Sequence, residues 1–166
     1  MSGLPGWLPP LILIDDYEGD WATYIEAVYQ HFRKDFIEST PVFRSRRIGL
    51  KRLPYFQGKE SAFWHVTSEG PDEAERVPDL RRCERIRWPR PLIEHPAEKE
   101  IRCWPNERHG ERRIVIWLYG QDYVVILADR ISYLLLWSAY RVDRQHAKDS
   151  LLKEYEDYQK RLMPPG

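Results

Sequence analysis

The chain has 166 residues, a length that suits one domain with a single hydrophobic core. Its 26 basic and 26 acidic residues give a formal net charge of zero, which argues against a polybasic tail but is compatible with a local basic face. Aromatic residues make up 13% of the chain, which predicts a well-filled core and a surface for stacking. The two cysteines, Cys83 and Cys103, form no CxxC pair, so the sequence predicts no zinc site.

Residues 1–19 combine closely spaced prolines and glycines with a short apolar run at Leu11–Ile14. They predict an N-terminal arm that packs on the body, with residues 20–166 forming a single domain. The apolar run has no basic stretch before it and is too short to cross a bilayer, and no other uncharged apolar segment reaches eighteen residues. We therefore expect a soluble cytoplasmic protein with no membrane partner.

The next part of the chain predicts a helix followed by strands. Aromatic and apolar residues recur at spacings of three and four from Trp21 to Phe36, with Asp20 placed as the N-cap. The basic segment "PVFRSRRIGLKRLPYF" is partly alternating and predicts a strand with one charged face. After Gly58, "SAFWHVTS" predicts a second strand, which places His65 near its end.

The second half predicts a short helix in "PDLRRCERIRW", a strand near residues 100–104 and then three strand-like runs. These runs, Ile114–Tyr119, Tyr123–Ala128 and Tyr133–Tyr140, are joined at hairpin lengths and predict an antiparallel meander. The tail predicts a C-terminal helix. The expected fold class is α+β, with an N-terminal helix packed on a mainly antiparallel sheet of four to five strands and a C-terminal helix.

Several common catalytic motifs are absent from the sequence. It contains no GxxxxGK[ST], GxGxxG, HExxH or GxSxG pattern, so it predicts no metal site and no cofactor. What remains is histidine, arginine, lysine and hydroxyl groups on predicted strands. This inventory suits metal-free RNA cleavage, which needs a base for the ribose 2′-OH, an acid for the leaving oxygen and cations near the phosphorane.

His65 is the first candidate, because histidine fits either proton role near neutral pH. The structural alternative is a partly buried histidine bonded to a backbone carbonyl. Lys59 is by default a loop lysine, and Arg130 is by default a turn residue paired with Asp129. Ser138 and Tyr140 alternate, so both should point to one face of the last strand.

The order of these parts resembles the fold shared by barnase, EndoU-type endoribonucleases, tRNA-cleaving colicins and RelE-like toxins, above all its phage- and toxin-associated branch. The resemblance rests on the histidine of "FWHVTS", the arginine-bearing short helix, and Ser138-Ala139-Tyr140 at the end of the meander. It implies a metal-independent endoribonuclease that forms a 2′,3′-cyclic phosphate, with RNA, including tRNA, as substrate. It also implies an antitoxin protein as partner, if the chain is the toxin of a toxin–antitoxin pair.

The resemblance assigns the proton transfer to His65 as general acid or base. Arg130, with Lys59 or Arg82, would stabilise the phosphorane, while Ser138 and Tyr140 would orient the base or the phosphate. Thr67 would assist His65. The residues predicted to bind substrate are Thr67, Arg82, Arg85, Lys51 and Arg47. The alternative function is a non-catalytic RNA-binding or protein-interaction module of the same fold, in which the basic residues would hold RNA through phosphate contacts alone.

Overall fold

The computed structural model describes residues 3–72 and 75–163. In this part of the chain, none of the helices has both the length and the apolar composition needed to cross a membrane. The helices are α1 (Trp21–Phe36), α2 (Ser61–Thr67), α3 (Leu80–Glu84), α4 (Pro89–Glu94) and α5 (Gln145–Leu162), with 3-10 turns at Ile14–Tyr17 and Tyr119–Gln121. The strands are β1 (Val42–Phe43), β2 (Arg46–Gly49), β3 (Ser68–Glu69), β4 (Val77–Pro78), β5 (Ile101–Arg108), β6 (Glu111–Leu118), β7 (Tyr123–Asp129) and β8 (Leu134–Arg141).

Six strands form one mixed sheet in the order β1-β2-β8-β7-β6-β5, and β3 and β4 form a separate two-stranded ribbon. The α+β class and both terminal helices are confirmed, and so are the three strands of the meander. The expected count of four to five antiparallel strands is imprecise, because β2 joins β8 in parallel. This pairing connects segments far apart in sequence, so no local pattern predicts it.

The sheet is covered on both faces, which explains why the meander strands are almost continuously apolar. Helices α1 to α4 enclose the larger core with one face of the sheet, where Phe32, Phe63 and Leu127 are fully buried. Helix α5 lies over the opposite face, and its Tyr155 packs against the buried Trp104 of β5.

The N-terminal residues pack on the body of the molecule through backbone hydrogen bonds. The amide of Ile12 donates to the carbonyl of Glu84 at 2.9 Å, and the indole of Trp88 donates to the carbonyl of Pro9 at 2.8 Å. Helix α1 then begins as its sequence predicts, with the carboxylate of Asp20 accepting a hydrogen bond from the amide of Thr23.

One predicted strand is confirmed only in part, and another is wrong. The basic segment forms a hairpin, β1 and β2, whose turn residues Arg44 and Ser45 have positive φ, followed by an irregular loop over residues 50–60. "SAFWHVTS" forms helix α2, so His65 lies on a helix and not at the end of a strand. Every residue of α2 except His65 is buried, so its apolar pattern shows neither helical nor strand periodicity.

Strand β2 pairs with β8 only at Leu134 and Leu135, so the second half of β8 has no strand neighbour on that side. Helix α2 packs against β8 there. His65 of this helix lies beside Trp137 of β8, with 5.7 Å between the two ring centroids.

Candidate functional site

A cavity of about 630 Å3 opens between the loop of residues 50–60 and helix α2. We call it the α2 cavity. Its aromatic lining residues are Trp21, Tyr55, Phe56 and Trp64, and its polar ones include Ser61, His65, Ser68, Asp72 and Arg76. Concave sites of this size, mostly apolar with a few polar groups, are the usual form of a ligand pocket.

Three of the four aromatic residues that line the α2 cavity are exposed, whereas Trp64 is buried. Tyr55 is 52% exposed and Phe56 is 59% exposed, although both side chains are large and apolar enough to be buried. The loop that carries them is fixed to α2, because the indole N–H of Trp64 donates to the carbonyl of Phe56 at 3.0 Å. The rings are therefore held at the mouth of the cavity and remain available for contact.

His65 lies between the α2 cavity and strand β8. Its half-buried side chain lines the cavity, and its ring centroid is 5.7 Å from that of Trp137. His65 therefore differs from a core histidine, whose side chain is enclosed on all sides. An imidazole at the edge of a cavity can reach a ligand and transfer a proton to it.

Two arginines bind the backbone at the end of α2. Arg82 and Arg76 both donate to the carbonyl of Ser68, and Arg76 also donates to the carbonyl of Gly70 at 2.9 Å. Weaker contacts of 3.4 and 3.5 Å reach the carbonyl of His65. Cationic side chains are favourable at the C-terminus of a helix, where carbonyls lack intrahelical partners. They fix the backbone that carries His65.

Strand β8 contributes its aromatic residues through a β-bulge. Ile126 pairs with Ser138 whereas Leu127 pairs with Leu136, so Trp137 is an extra residue. The bulge turns Trp137 toward the α5 side of the sheet, which Tyr140 also faces. The guanidinium of Arg82 lies 5.4 Å from the ring centroid of Tyr140, which connects the end of α2 to this part of β8.

Four of the predicted site residues lie on α2, α3 and β8: His65, Arg82, Ser138 and Tyr140. Contacts link three of them, because Arg82 donates to the carbonyl of His65 at 3.4 Å and lies 5.4 Å from the ring centroid of Tyr140. Ser138 pairs with Ile126 and Tyr140 with Val124, and both partners belong to the α5-side core, so the expectation that the two share a face agrees with the register. None of Ser138, Tyr140 and Arg82 lines the α2 cavity. His65 is the one member of the four that does.

Lys59 and Arg130 lie elsewhere. The ammonium of Lys59 is 3.2 Å from the carboxylate of Glu26 on α1 and 5.1 Å from the ring of Tyr29. Arg130 follows β7 at the other end of the meander, where it forms an ion pair with Glu111 and not with the predicted Asp129. Asp129 instead pairs with Arg46 at 2.7 Å, which with a backbone bond lowers the pKa of its carboxyl to about 2.

The residues predicted to bind substrate also lie at different places in the structure. Thr67 is fully buried and its hydroxyl donates to the carbonyl of Phe63, so it cannot assist His65. Arg85 packs over Trp88 and bonds Glu84, and burial lowers the pKa of its guanidinium. Arg47 is exposed and lies over Tyr133, near the start of β8, and Lys51 is exposed in the loop before the α2 cavity.

A buried thiol lies directly beneath α2 but is unsuited to chemistry. Cys83 is fully buried and its thiol lies 3.8 Å from the carbonyl of Thr67. Burial raises its pKa to about 12, so it remains protonated at neutral pH and is a poor nucleophile. Within residues 3–72 and 75–163, no three His, Cys, Asp or Glu side chains cluster as a metal site would require.

Sequence reasoning missed Tyr55, Phe56, Ser68, Arg76 and Trp137. The available signal was "LPYFQG", two aromatic residues between a proline and a glycine, which is typical of a loop and not of a strand. Ser68 and Arg76 become recognisable only when β3 and β4 pair. Trp137 could not be selected from the sequence, because its orientation depends on the β-bulge in β8.

The residues at this site form an aromatic cavity with one imidazole at its edge and several hydroxyl groups nearby. This combination can stack a planar group and move a proton beside it. Searches of protein-family models, of curated proteins and of solved structures found no match to this chain.

Proposed function

We propose that the chain is a metal-independent endoribonuclease, which cleaves RNA by attack of a ribose 2′-OH on the adjacent phosphate and leaves a 2′,3′-cyclic phosphate. The observation that carries this proposal is the position of His65, half-buried at the edge of an aromatic cavity and 5.7 Å from Trp137. Aromatic side chains stack on unpaired bases in RNA-binding proteins. In our proposal the rings of the α2 cavity hold such a base, and its sugar–phosphate backbone passes His65.

In this proposal His65 transfers the proton that cleavage requires, either from the 2′-OH or to the leaving 5′-oxygen. The charge of the phosphorane is balanced by guanidinium groups near the same stretch of β8. Arg82 lies over Tyr140, and Arg113 lies 5.8 Å from the ring centroid of Trp137. In this role Arg82 and Arg113 replace Lys59 and Arg130, because each of them lies over an aromatic ring of β8. Both also have an acidic neighbour, Asp79 at 3.7 Å from Arg82 and Glu111 at 3.9 Å from Arg113.

The proposal includes a role as the toxin of a toxin–antitoxin pair, which the resemblance in motif order favours. A ribonuclease of that kind arrests the growth of a host when its expression is induced. Induction of the His65→Ala variant should allow normal growth, and an antitoxin would be a protein that restores growth when it is expressed with the wild-type chain.

Cleavage of total RNA tests the enzymatic proposal. The wild-type protein should cut RNA equally well with and without EDTA. His65→Ala should lower the rate by at least about 100-fold, which is the usual contribution of a general acid or base. His146→Ala is the matched control, because His146 is exposed on α5, and it should cut at the wild-type rate. Loss of activity with the chelator, or full activity of His65→Ala, contradicts the proposal.

A second candidate function is RNA binding without cleavage. It is favoured by the separation of Lys59 and Arg130 from His65, which removes two of the cations predicted to support catalysis. This function predicts RNA affinity that falls steeply with salt, because the binding energy comes from phosphate contacts, together with no new RNA ends after long incubation.

A further inference from the structure

We infer that the α2 cavity binds one unstacked nucleobase of single-stranded RNA, and that the hydroxyl of Ser68 bonds the edge of that base and sets the base preference. The inference rests on the proposed function, in that RNA is the ligand. It adds a recognition site that the predicted residues Ser138 and Tyr140 do not form, because neither of them lines this cavity.

The hydroxyl of Ser68 is the first observation. Ser68 is 1% exposed and lines the α2 cavity, and its Oγ has no hydrogen-bond partner among the described residues. Its backbone is immobilised, since its carbonyl accepts from both Arg76 and Arg82. Buried hydroxyl groups in folded proteins almost always have a partner. A polar atom of a ligand in the cavity would supply it.

The aromatic residues at the mouth are the second observation. Trp21, Tyr55 and Phe56 are 40%, 52% and 59% exposed, yet all three line the same cavity. Exposed large apolar side chains that converge on one concavity mark a binding site. The occupant therefore has flat apolar faces for the rings and at least one polar edge for Ser68, which is the description of a nucleobase.

A base within an RNA chain carries a phosphate, so charged groups around the cavity matter for the ligand. Asp72 and Arg76, one of each sign, line the cavity, and Arg52 adds a positive charge in the adjoining loop. Arg52 lies in the loop that forms the cavity, and its side chain is 50% exposed. Its guanidinium is 3.9 Å from the carboxylate of Glu60, which orients it without burying it. An exposed guanidinium at this position suits the phosphate that accompanies a bound base.

Binding of uncleavable oligonucleotides tests the inference. Four tetranucleotides, each of one base and methylated at every 2′-oxygen, are titrated while tryptophan fluorescence is recorded. The wild-type protein should prefer one base by at least about fivefold, since a hydrogen bond to a base edge contributes that much discrimination. Ser68→Ala should bring the four affinities to within about twofold of one another. It should not lower the melting temperature, because the lost hydroxyl has no described partner.

A second variant, Tyr55→Ala, tests the contribution of the aromatic rings to oligonucleotide binding. Tyr55→Ala should weaken binding of every tetranucleotide by roughly tenfold or more, as is usual when a stacking ring is removed. Tyr119→Ala is the matched control, because Tyr119 is 42% exposed and does not line the α2 cavity, and it should bind as the wild type does.

The outcomes separate this inference from the proposed function. Any of three results overturns the inference. The Ser68→Ala protein keeps the wild-type base ranking, the Tyr55→Ala and Tyr119→Ala proteins bind with equal affinity, or the wild type does not bind. The methylated probes cannot be cut through their 2′-oxygens. Binding as expected, without cleavage of the unmethylated versions, would remove the proposed ribonuclease function and leave the inference standing.

Discussion

The α2 cavity and a second cleft at the turn between β7 and β8 have similar volumes, about 630 and about 520 Å3, but their polar groups are satisfied in opposite ways. In the turn cleft, Arg46 pairs with Asp129, and Arg112 lies 3.9 Å from Glu107. In the α2 cavity, the hydroxyl of Ser68 has no described partner and the aromatic rings are exposed. The turn cleft neutralises its own charges, whereas the α2 cavity leaves polar and apolar groups for a ligand.

This difference shows why an abundance of arginines is a poor guide to a site in this molecule. The turn cleft is the more charged of the two, yet its charges serve to join the β1–β2 hairpin to the meander. Arg46 donates to the carboxylate of Asp129 and to the carbonyl of Ile131. The α2 cavity has a smaller share of charged lining residues, but it is lined by aromatic rings and an imidazole, which are groups that can stack on a ligand and transfer a proton.

The largest expected effect compares one residue from each region in RNA cleavage. His65→Gln keeps a polar side chain of similar size but cannot transfer a proton, so the cleavage rate should fall by at least about 100-fold. Arg130→Ala removes a residue already neutralised by Glu111, so its rate should stay within about twofold of the wild type. The reverse result would show that the turn cleft, and not the α2 cavity, supports the chemistry.

The next effect concerns stability at the α2 cavity. Arg82→Met keeps most of the side-chain volume but removes the guanidinium that holds the carbonyl of Ser68. We expect unfolding in urea to show a loss of about 2 kcal/mol, because hydrogen bonds to charged groups typically contribute 1.5–3 kcal/mol. Arg81→Met, at an exposed position on the same helix, is the control and should change stability by less than about 0.5 kcal/mol. Equal losses in the two variants would contradict the assigned role of Arg82.

A smaller effect, dependent on pH, is expected at the turn cleft. The pKa of Asp129 is lowered to about 2 from an ordinary value of 3.8, chiefly by its hydrogen bond from Arg46. A lowered carboxyl pKa contributes stability that is present above the unfolded pKa and is lost as the pH falls toward 2. Arg46→Ala should therefore cost about 1 kcal/mol at pH 7, after allowance for solvent screening, and progressively less below pH 4. A cost that does not change with pH would assign the effect to packing.

The smallest expected effect is a gain in stability at the same turn. Ile131 is 92% exposed and has a φ of 70°, a conformation that is strained for a β-branched residue. Asn tolerates this conformation and would keep the backbone bonds to Asp129 and Arg46. Ile131→Asn should raise the free energy of unfolding by about 0.5–1 kcal/mol, measured by thermal melting, without changing RNA cleavage. A loss of stability would mean that Ile131 packs against something in solution.

Local sequence patterns were sufficient to predict a helix that is buried on one side and strands that are joined by short turns. Helix α1 and the three meander strands follow from residue spacing and turn length, and their bounds agree within a few residues. Helix α2 could not be predicted in this way. It is short and buried on nearly all sides, so its sequence carries no period that distinguishes a helix from a strand.

The candidate site was predictable only in part, because its contacts join segments distant in sequence. His65 and Tyr140 were selected as residue types, and Arg82, which contacts both, does so because α2 and α3 pack against β8. The partners of Lys59 and Arg130 were not predictable, since Glu26 and Glu111 are set by tertiary packing. The bulge at Trp137 likewise leaves no clear mark in an apolar strand.

The central claim is that His65 supports metal-free cleavage of RNA beside the α2 cavity. The most direct measurement uses a DNA oligonucleotide with a single internal ribonucleotide, incubated with the protein in EDTA, with the products identified by mass spectrometry. We expect one cut, directly 3′ of the ribonucleotide, which leaves a 2′,3′-cyclic phosphate, and no cut with His65→Ala. Cleavage at deoxynucleotides, a product that ends in a 3′-hydroxyl, or an active His65→Ala protein would contradict the claim.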